Sequence, residues 1–322
     1  MTKPNLTEIT NQTAWDTLIT NHHGHPMQLW GWGDTKVKSG NWHAYRLQST
    51  DGLAQILIRR LPKPFTAIAY CPRGPVITGS SANFLTELKK WCKSKNCLEL
   101  KIEAATPIDF PPGFRKSPSH ILINTTATIN LQPELPEIMA SYSSKTRQYI
   151  KKASRDGITV RPATEADLAT IYALYAETAR RAHFAIHPAS YYNLIFQKIP
   201  PENTQLLVAE YENPEHQPQI VAFLWNIITE TAFELYGGIN EIGQRLHANH
   251  LLKQTAIEDA KNRGANLYDM NGLLNDGISS FKLGFGQATT LPPTMDAPLS
   301  PLYYPYELLF RLRRLRHILP RR

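Results

Sequence analysis

Tyr268-Asp269-Met270-Asn271-Gly272, followed by Ser280-Phe281-Lys282-Leu283-Gly284-Phe285-Gly286, closes a pattern that the chain runs through twice. Leu267 to Met270 reads as a short strand carrying Asp269 near its end. Gly272, Asn275, Asp276 and Gly277 predict a loop, because these residue types accept the backbone angles of turns. Beyond the loop stands one lysine between two phenylalanines, with two glycines after it. A cation held by aromatic walls and approached by bare backbone suits the stabilisation of a developing anion. The same residues also make an ordinary glycine-rich turn whose lysine stretches to water.

Upstream of Asp269 the elements fall in a definite order. Gln205 to Glu210 and Gln219 to Ile228 predict a hairpin around Asn213-Pro214. Ala232 to Ile239 predicts a strand broken by Gly237-Gly238, and Leu246 to Arg263 a helix. The first half shows the same order. His43 to Leu61 alternates and turns at Thr50-Asp51-Gly52, and Thr66 to Ile77 is a strand broken by Arg73-Gly74-Pro75. Asn83 to Lys95 places Phe84, Leu85, Leu88 and Trp91 at helical spacing, and Cys97 to Glu103 alternates and ends on a carboxylate. This repetition predicts an internal duplication. The order is that of the N-acetyltransferase-like (GNAT) core, a mixed sheet flanked by helices. The expected fold is therefore α/β, with two tandem GNAT-like domains. The first spans 1–155 and is completed by 296–322; the second spans 156–295.

Composition agrees with a two-domain globular chain: 322 residues, 42% hydrophobic and 19% charged. No apolar run approaches the ~20 residues of a membrane span. Met1 to Trp15 is polar and lacks a signal-peptide core, so the expected location is the cytoplasm. A formal net charge of +8 favours acidic partners: tRNA, a diphosphate or an anionic membrane surface. The three cysteines, Cys71, Cys92 and Cys97, form neither a disulfide framework nor a Cys-x-x-Cys metal pair. His22, His23 and His25 lack acidic or cysteine company, and no metal is assigned to them.

Five segments, in one order, resemble the Fem family of peptidoglycan-bridge aminoacyltransferases. They are Gln28-x-Trp30-x-Trp32-x-x-x-Lys36, Arg73-Gly74-Pro75, Lys145-Thr146-Arg147-x-x-Ile150-x-x-Ala153, Tyr236-Gly237, and Phe281-Lys282-x-Gly284-Phe285-Gly286 after Tyr268-Asp269-x-x-Gly272. The resemblance implies an enzyme that carries an amino acid from aminoacyl-tRNA to an amine on a UDP-linked or lipid-linked peptidoglycan precursor. It implies Lys282 as the catalytic cation. It implies Lys36, His187 and Tyr191 near the precursor phosphates, with Tyr236, Glu103 and Asp269 as further substrate contacts. His187 stands where an arginine is usual, which gives a weaker phosphate clamp near neutral pH; Arg180 and Arg181 are the nearby candidates to compensate. No heptad insertion appears in the second half, so the resemblance is to the members without a helical arm.

CoA is not expected as donor. The site where a glycine-rich loop would hold its pyrophosphate reads Gln244-Arg245-Leu246-His247-Ala248-Asn249, and Gly79-Ser80-Ser81-Ala82-Asn83 in the first half is also a poor match. No cofactor is expected. At ~100° per residue, Pro136 to Arg155 forms one helix with Ile138, Met139, Tyr142, Tyr149, Ile150 and Ala153 on one side. Lys145, Arg147, Lys151, Lys152 and Arg155 fill the other, either as a solvated face or as a contact for tRNA phosphates. Thr164-Glu165-Ala166-Asp167 is a capping box that opens another helix. The tail places Leu308, Leu312, Leu315 and Leu319 on one stripe with Arg311, Arg313, Arg314 and Arg316 around it. It reads either as a helix packed on the first domain or as a contact with anionic lipid. Two other functions compete with amino-acid transfer: an N-acyltransferase on another substrate, and a non-catalytic RNA- or membrane-surface-binding protein.

Overall fold

The computed structural model describes residues 5–212, 218–273 and 277–318, with backbone alone for 313–318. Asn213, Pro214, Asn275, Asp276 and Leu319 lie outside the described residues. The elements in chain order are β1 (Thr7–Glu8), α1 (Gln12–Asn21), α2 (Trp30–Ser39), β2 (Trp42–Ser49), β3 (Gly52–Arg60), β4 (Ala67–Pro72), β5 (Val76–Ile77), α3 (Ser81–Ser94), β6 (Cys97–Glu103) and β7 (Arg115–Lys116). There follow β8 (Thr125–Asn130), α4 (Leu135–Ser141), α5 (Ser144–Arg155), β9 (Ile158–Pro162), α6 (Leu168–Arg181), α7 (Ala189–Lys198), β10 (Thr204–Tyr211), β11 (Gln219–Ile228) and β12 (Thr231–Ile239). The chain closes with α8 (Glu241–Arg245), α9 (Ala248–Asn262), β13 (Leu267–Gly272), α10 (Gly277–Leu283), β14 (Gln287–Thr290), β15 (Met295–Pro298) and α11 (Tyr303–Ile318).

These elements form two compact units, one of residues 1–124 with 291–322 and one of 125–290. Each has its own mixed sheet. In the first, the strands run β1-β2-β3-β4-β6-β15-β7, with β5 beside β3; in the second, β14-β8-β13-β12-β11-β10-β9. The duplication is visible in the pairing. β2, β3 and β4 are antiparallel, α3 crosses over, and β6 returns parallel to β4. β10, β11 and β12 are antiparallel, α9 crosses over, and β13 returns parallel to β12. α3 buries Phe84, Leu85, Leu88 and Trp91 against its sheet, and Ser80 caps it by accepting from the Asn83 amide.

Three local expectations are revised. The boundary expected at 155/156 falls inside the second unit. β8 pairs with β13, and Ile150 and Ala153 of α5 join the core that contains Leu252 and Ala256 of α9. The helix expected over 136–155 is two helices. Tyr142 takes extended angles, and the Ser143 side chain accepts from the Thr146 amide, starting α5 afresh. β12 runs unbroken through Gly237-Gly238. The second glycine is there for packing: a Cβ on it would lie 2.5 Å from the Phe223 ring and 3.2 Å from the Leu174 carbonyl oxygen. The capping box forms as expected and leads into α6.

All three cysteines are free and buried, and burial pushes their thiols up, that of Cys97 to about 12. Thiolate nucleophiles are disfavoured there. Among the described residues, no helix is long and apolar enough to cross a membrane.

Candidate active site

Lys282 sits on the last turn of α10, a short helix that begins at Gly277, the last residue of the expected loop. Its Nζ donates to the Gly272 carbonyl at 2.9 Å and to the Asn271 carbonyl at 3.4 Å. Those carbonyls are presented by the end of β13, where Asn271 adopts φ 61°. Asp269 makes that turn: its Oδ1 accepts from the Asn271 amide at 2.7 Å and from the Thr126 hydroxyl. Asp269 therefore positions the carbonyls that hold Lys282, and it is a buried anchor more than an open substrate contact. An ammonium has three N–H bonds. Two point at carbonyls, and the half-buried lysine has one more to offer a ligand.

The flanking residues differ from expectation. Gly284 and Gly286 do not open space for a ligand. The Gly284 carbonyl accepts from the Ser143 amide at 2.9 Å, and a Cβ on Gly284 would lie 2.5 Å from the Thr146 hydroxyl oxygen. A Cβ on Gly286 would lie 2.4 Å from the Thr128 carbonyl oxygen. The two glycines seat the lysine's loop against the start of α5 and against β8. Phe285 is buried and meets Tyr142 edge-on at 5.1 Å, while Phe281 meets His250 at 5.0 Å. Leu283 is exposed. The aromatic rings thus fix the base of α10 and do not clasp the ammonium.

A second lysine stands close by. Lys253 of α9 is buried and ion-paired with Glu234 of β12. Its Nζ lies 5.8 Å from the Phe281 ring centroid and 5.6 Å from that of Tyr268. Burial lowers its pKa, Glu234 pulls it back up, and the Lys282 charge lowers it further. The Glu234 carbonyl accepts from Asn271 Nδ2 at 3.2 Å, which ties this pair to the turn under Lys282. Neither Lys253 nor Glu234 stands out in the sequence, because each looks like a polar residue among apolar ones. The signal is the pairing of a helix with a strand.

On another side of the same sheet lies an aromatic cluster. The His187 and Tyr191 rings stack at 4.0 Å, and the Tyr236 hydroxyl lies 3.4 Å from that of Tyr191. Tyr175 and Tyr192 complete it, each within 5.6 Å of Tyr236. Burial raises the pKa of Tyr236, and that of Tyr192 to about 12. These hydroxyls remain neutral donors at physiological pH. His187 is exposed at the rim, as a phosphate contact would require. Arg181 donates to the Ile239 carbonyl at 2.9 Å and reaches Glu177 at 3.4 Å, so it is engaged locally; Arg180 is exposed.

In the first unit, Lys36 is half-buried on α2 with its Nζ 4.3 Å from the Trp32 ring centroid. Glu103 ends β6, but its oxygens accept from the Tyr70 hydroxyl, the Ile121 and Leu122 amides and the Thr294 hydroxyl. It anchors the backbone at Ile121 and Leu122, and little of its capacity is left to orient an amine. His25 accepts from the Met27 amide through Nδ1, and burial, with Arg73 nearby, lowers its pKa well below the usual value. A separate buried group joins Glu99, Asp296 and Glu307, with Lys101 2.7 Å from Asp296.

The FemAB family model matches residues 113–221 and 210–311. The chain belongs to the FemAB family. It is 24% identical over 293 residues to the Lipid II:glycine glycyltransferase of Staphylococcus aureus strain bovine RF122 / ET3-1, covering 81% of this chain and 67% of that one. The crystal structure of FemX superposes with a TM-score of 0.82 at 18% identity, over 94% of this chain and 100% of that one. L-PGS from Bacillus licheniformis superposes at 0.56 with 12% identity, over 97% and 96%. A tandem GNAT protein from the clavulanic acid pathway superposes at 0.51 with 9% identity, over 92% and 99%. The structural likenesses speak to the fold: two GNAT-like halves in one chain.

The FemAB match takes in α5, the His187 cluster and Lys282, and begins after Lys36 and Glu103. On α5, the structure divides the five basic residues. Arg147 donates to the Ala140 carbonyl at 2.9 Å and to that of Tyr142, closing the end of α4. Lys152 is paired with Asp156. Lys145 and Lys151 are exposed, Arg155 is exposed with its Nε 3.6 Å from Asp156, and the Lys145 Nζ lies 5.5 Å from the Tyr149 ring centroid. Tyr149 in turn stacks at 3.8 Å on His247, the residue that opens α9 with φ 57°.

Proposed function

We propose that this FemAB protein is a tRNA-dependent aminoacyltransferase that extends the stem peptide of a peptidoglycan precursor. The acceptor amine, on the third residue of the stem, attacks the ester carbonyl of aminoacyl-tRNA. The new C–N bond makes an amide. The ester C–O bond breaks, and the terminal ribose oxygen of the tRNA leaves with a proton while the amine loses one. The ester is already activated, so the chemical task is to orient the amine and stabilise the oxyanion.

The observation that carries this reading is the seat of Lys282. Two backbone carbonyls fix its ammonium and one N–H remains for an oxyanion. Lys282 is the electrostatic stabiliser and a proton donor to the departing oxygen. Asp269 is a positioning residue, acting through Asn271 and Gly272. Lys253, paired with Glu234, adds positive potential behind the site.

The donor is read from α5. Lys145, Lys151 and Arg155 interleave with Tyr149, and exposed cations beside an aromatic ring favour RNA phosphates and bases. CoA is disfavoured because the opening of α9 lacks glycine and carries the His247–Tyr149 stack. His187, Tyr191, Tyr236 and Lys36 are assigned to the precursor. The protein works in the cytoplasm, where charged tRNA and precursor meet. The names of the S. aureus relatives, which specify Lipid II and glycine, support transfer to a peptidoglycan precursor. Incubation with charged total tRNA and either precursor is expected to raise the precursor's mass by one aminoacyl residue, and ribonuclease is expected to abolish the gain. An unchanged mass with both precursors would overturn the reading.

A further inference from the structure

α11 has two apolar faces, and the first unit covers only one of them. Tyr303, Tyr306 and Glu307, spaced i, i+3 and i+4, turn inward. Tyr303 is buried with Ile68 and Leu98 and donates to Asp296 at 2.8 Å. Tyr306 meets Phe65 at 5.5 Å, and the buried Glu307 lies 3.9 Å from Lys101. The opposite face carries Tyr304, Leu308 and Leu312 at i, i+4 and i+8, which are 59%, 57% and 48% exposed, with Leu309 beside them at 46%. Ten large hydrophobic residues are exposed among the described residues, and four of them belong to this one helix. Scattered exposed leucines need no explanation, whereas a stripe of them on a helix does.

Among the described residues, Arg311 and Arg115 border the stripe. Arg311 is exposed beside Leu308 and Leu312, and the same helix contains Arg313, Arg314 and Arg316. Its one acid, Glu307, is turned inward. The Arg115 guanidinium lies 4.8 Å from the Tyr304 ring centroid, and Lys116 next to it is exposed. A second copy of this chain would set arginine against arginine, which like-charge repulsion opposes. An apolar stripe bordered by arginines fits an anionic lipid surface: leucines enter the acyl boundary and guanidiniums meet headgroup phosphates.

We propose that α11 docks the protein on an anionic membrane face through Tyr304, Leu308 and Leu312, flanked by Arg311 and Arg115. One consequence, which rests on the transferase reading, is that the acceptor is the lipid-linked precursor presented at that surface.

The test is sedimentation with vesicles of phosphatidylglycerol mixed into phosphatidylcholine, against vesicles of phosphatidylcholine alone. The protein is expected to bind the anionic vesicles, to release from them as salt rises, and to ignore the neutral ones. The double variant Leu308→Glu/Leu312→Glu, altered only at exposed positions, is expected to bind at least about tenfold more weakly. Arg311→Glu is expected to weaken binding and to flatten its salt dependence. No binding to anionic vesicles, or a double variant that binds as well as the parent, would overturn the proposal. So would a parent dimer in sedimentation velocity that the double variant dissolves, which would give the face to a second copy. In transfer assays, the double variant is expected to match the parent on soluble nucleotide-linked precursor and to fall at least about tenfold on vesicle-borne lipid-linked precursor. If the parent uses neither precursor, the transferase reading fails, while the vesicle result still decides the docking.

Discussion

Replacing Lys282 with methionine keeps most of the side-chain volume and removes the ammonium. Two effects follow, and the structure separates their sizes. The first is on folding. The hydrogen bonds to the Gly272 and Asn271 carbonyls disappear, and a hydrogen bond from a charged donor is worth up to ~3 kcal/mol when its partner is left dry. Both residues are half-buried, so water can replace the lost donor, and the expected loss of stability is about 1 kcal/mol. The second effect is on turnover. Loss of one preorganised oxyanion donor costs on the order of 100-fold or more, or ~2.7 kcal/mol of barrier. The Lys282→Met enzyme is expected to fold, to bind precursor nearly as the parent does, and to transfer amino acid on the order of 100-fold more slowly. Lys282→Arg is expected to retain part of the activity, because its wide planar group does not reproduce a point charge over two carbonyls. The assay is mass-resolved product formation under saturating aminoacyl-tRNA, with urea unfolding of the same preparation. A folded Lys282→Met enzyme with near-parental turnover would refute the assignment.

Other expectations address separate parts of the account. Reversal of Lys145, Lys151 and Arg155 to glutamate is expected to weaken tRNA use and leave precursor affinity intact. The log–log salt slope of tRNA binding should fall by about one per lost phosphate contact, and an unchanged slope would return α5 to a solvated face. His187→Arg is expected to tighten nucleotide-linked precursor binding, because a guanidinium is a permanent charge that grips phosphate through two N–H groups. No effect would place His187 away from the phosphates. Glu99 is expected to make stability pH-dependent: burial raises its pKa to about 8, with Lys101 opposing. The folded state then holds a proton that the unfolded chain has released, so stability falls with rising pH from the ordinary carboxylate pKa up to about 8. The slope is at most ~1.4 kcal/mol per pH unit, and Glu99→Gln is expected to remove it in urea titrations. Acetyl-CoA is expected to leave the melting temperature unchanged, whereas precursor raises it; equal shifts would favour CoA as donor.

The elements that the sequence disclosed are those whose burial pattern is local. β6 alternates apolar and charged residue types, although all seven of its residues are buried, and α3 carries its apolar face at helical spacing, so both were legible. β8 was not. Its run Thr-Thr-Ala-Thr-Ile-Asn buries Ala127 and Ile129 among threonines, and what makes it a strand is pairing with β13 and β14, far away in sequence. That hidden strand also explains the misplaced unit boundary. α10 is too short to show a period and begins at a glycine. Lys282 drew notice because a motif marked it. Glu103 and Asp269 were found as acids at strand ends, yet their hydrogen bonds make both of them anchors, which no sequence pattern distinguishes from contacts. Lys253 and Glu234 needed α9 to be laid against β12 before either had a meaning.

The most direct measurement of the central claim follows the aminoacyl group itself. Total tRNA is charged with radiolabelled amino acids, purified, and mixed in a single turnover with an excess of protein and of vesicle-borne lipid-linked precursor. The account predicts that label leaves the tRNA and appears in amide linkage on the precursor at equal rates, and that the Lys282→Met substitution slows both on the order of 100-fold. Label that stays on tRNA, or that appears as free amino acid with none on the precursor, would contradict it.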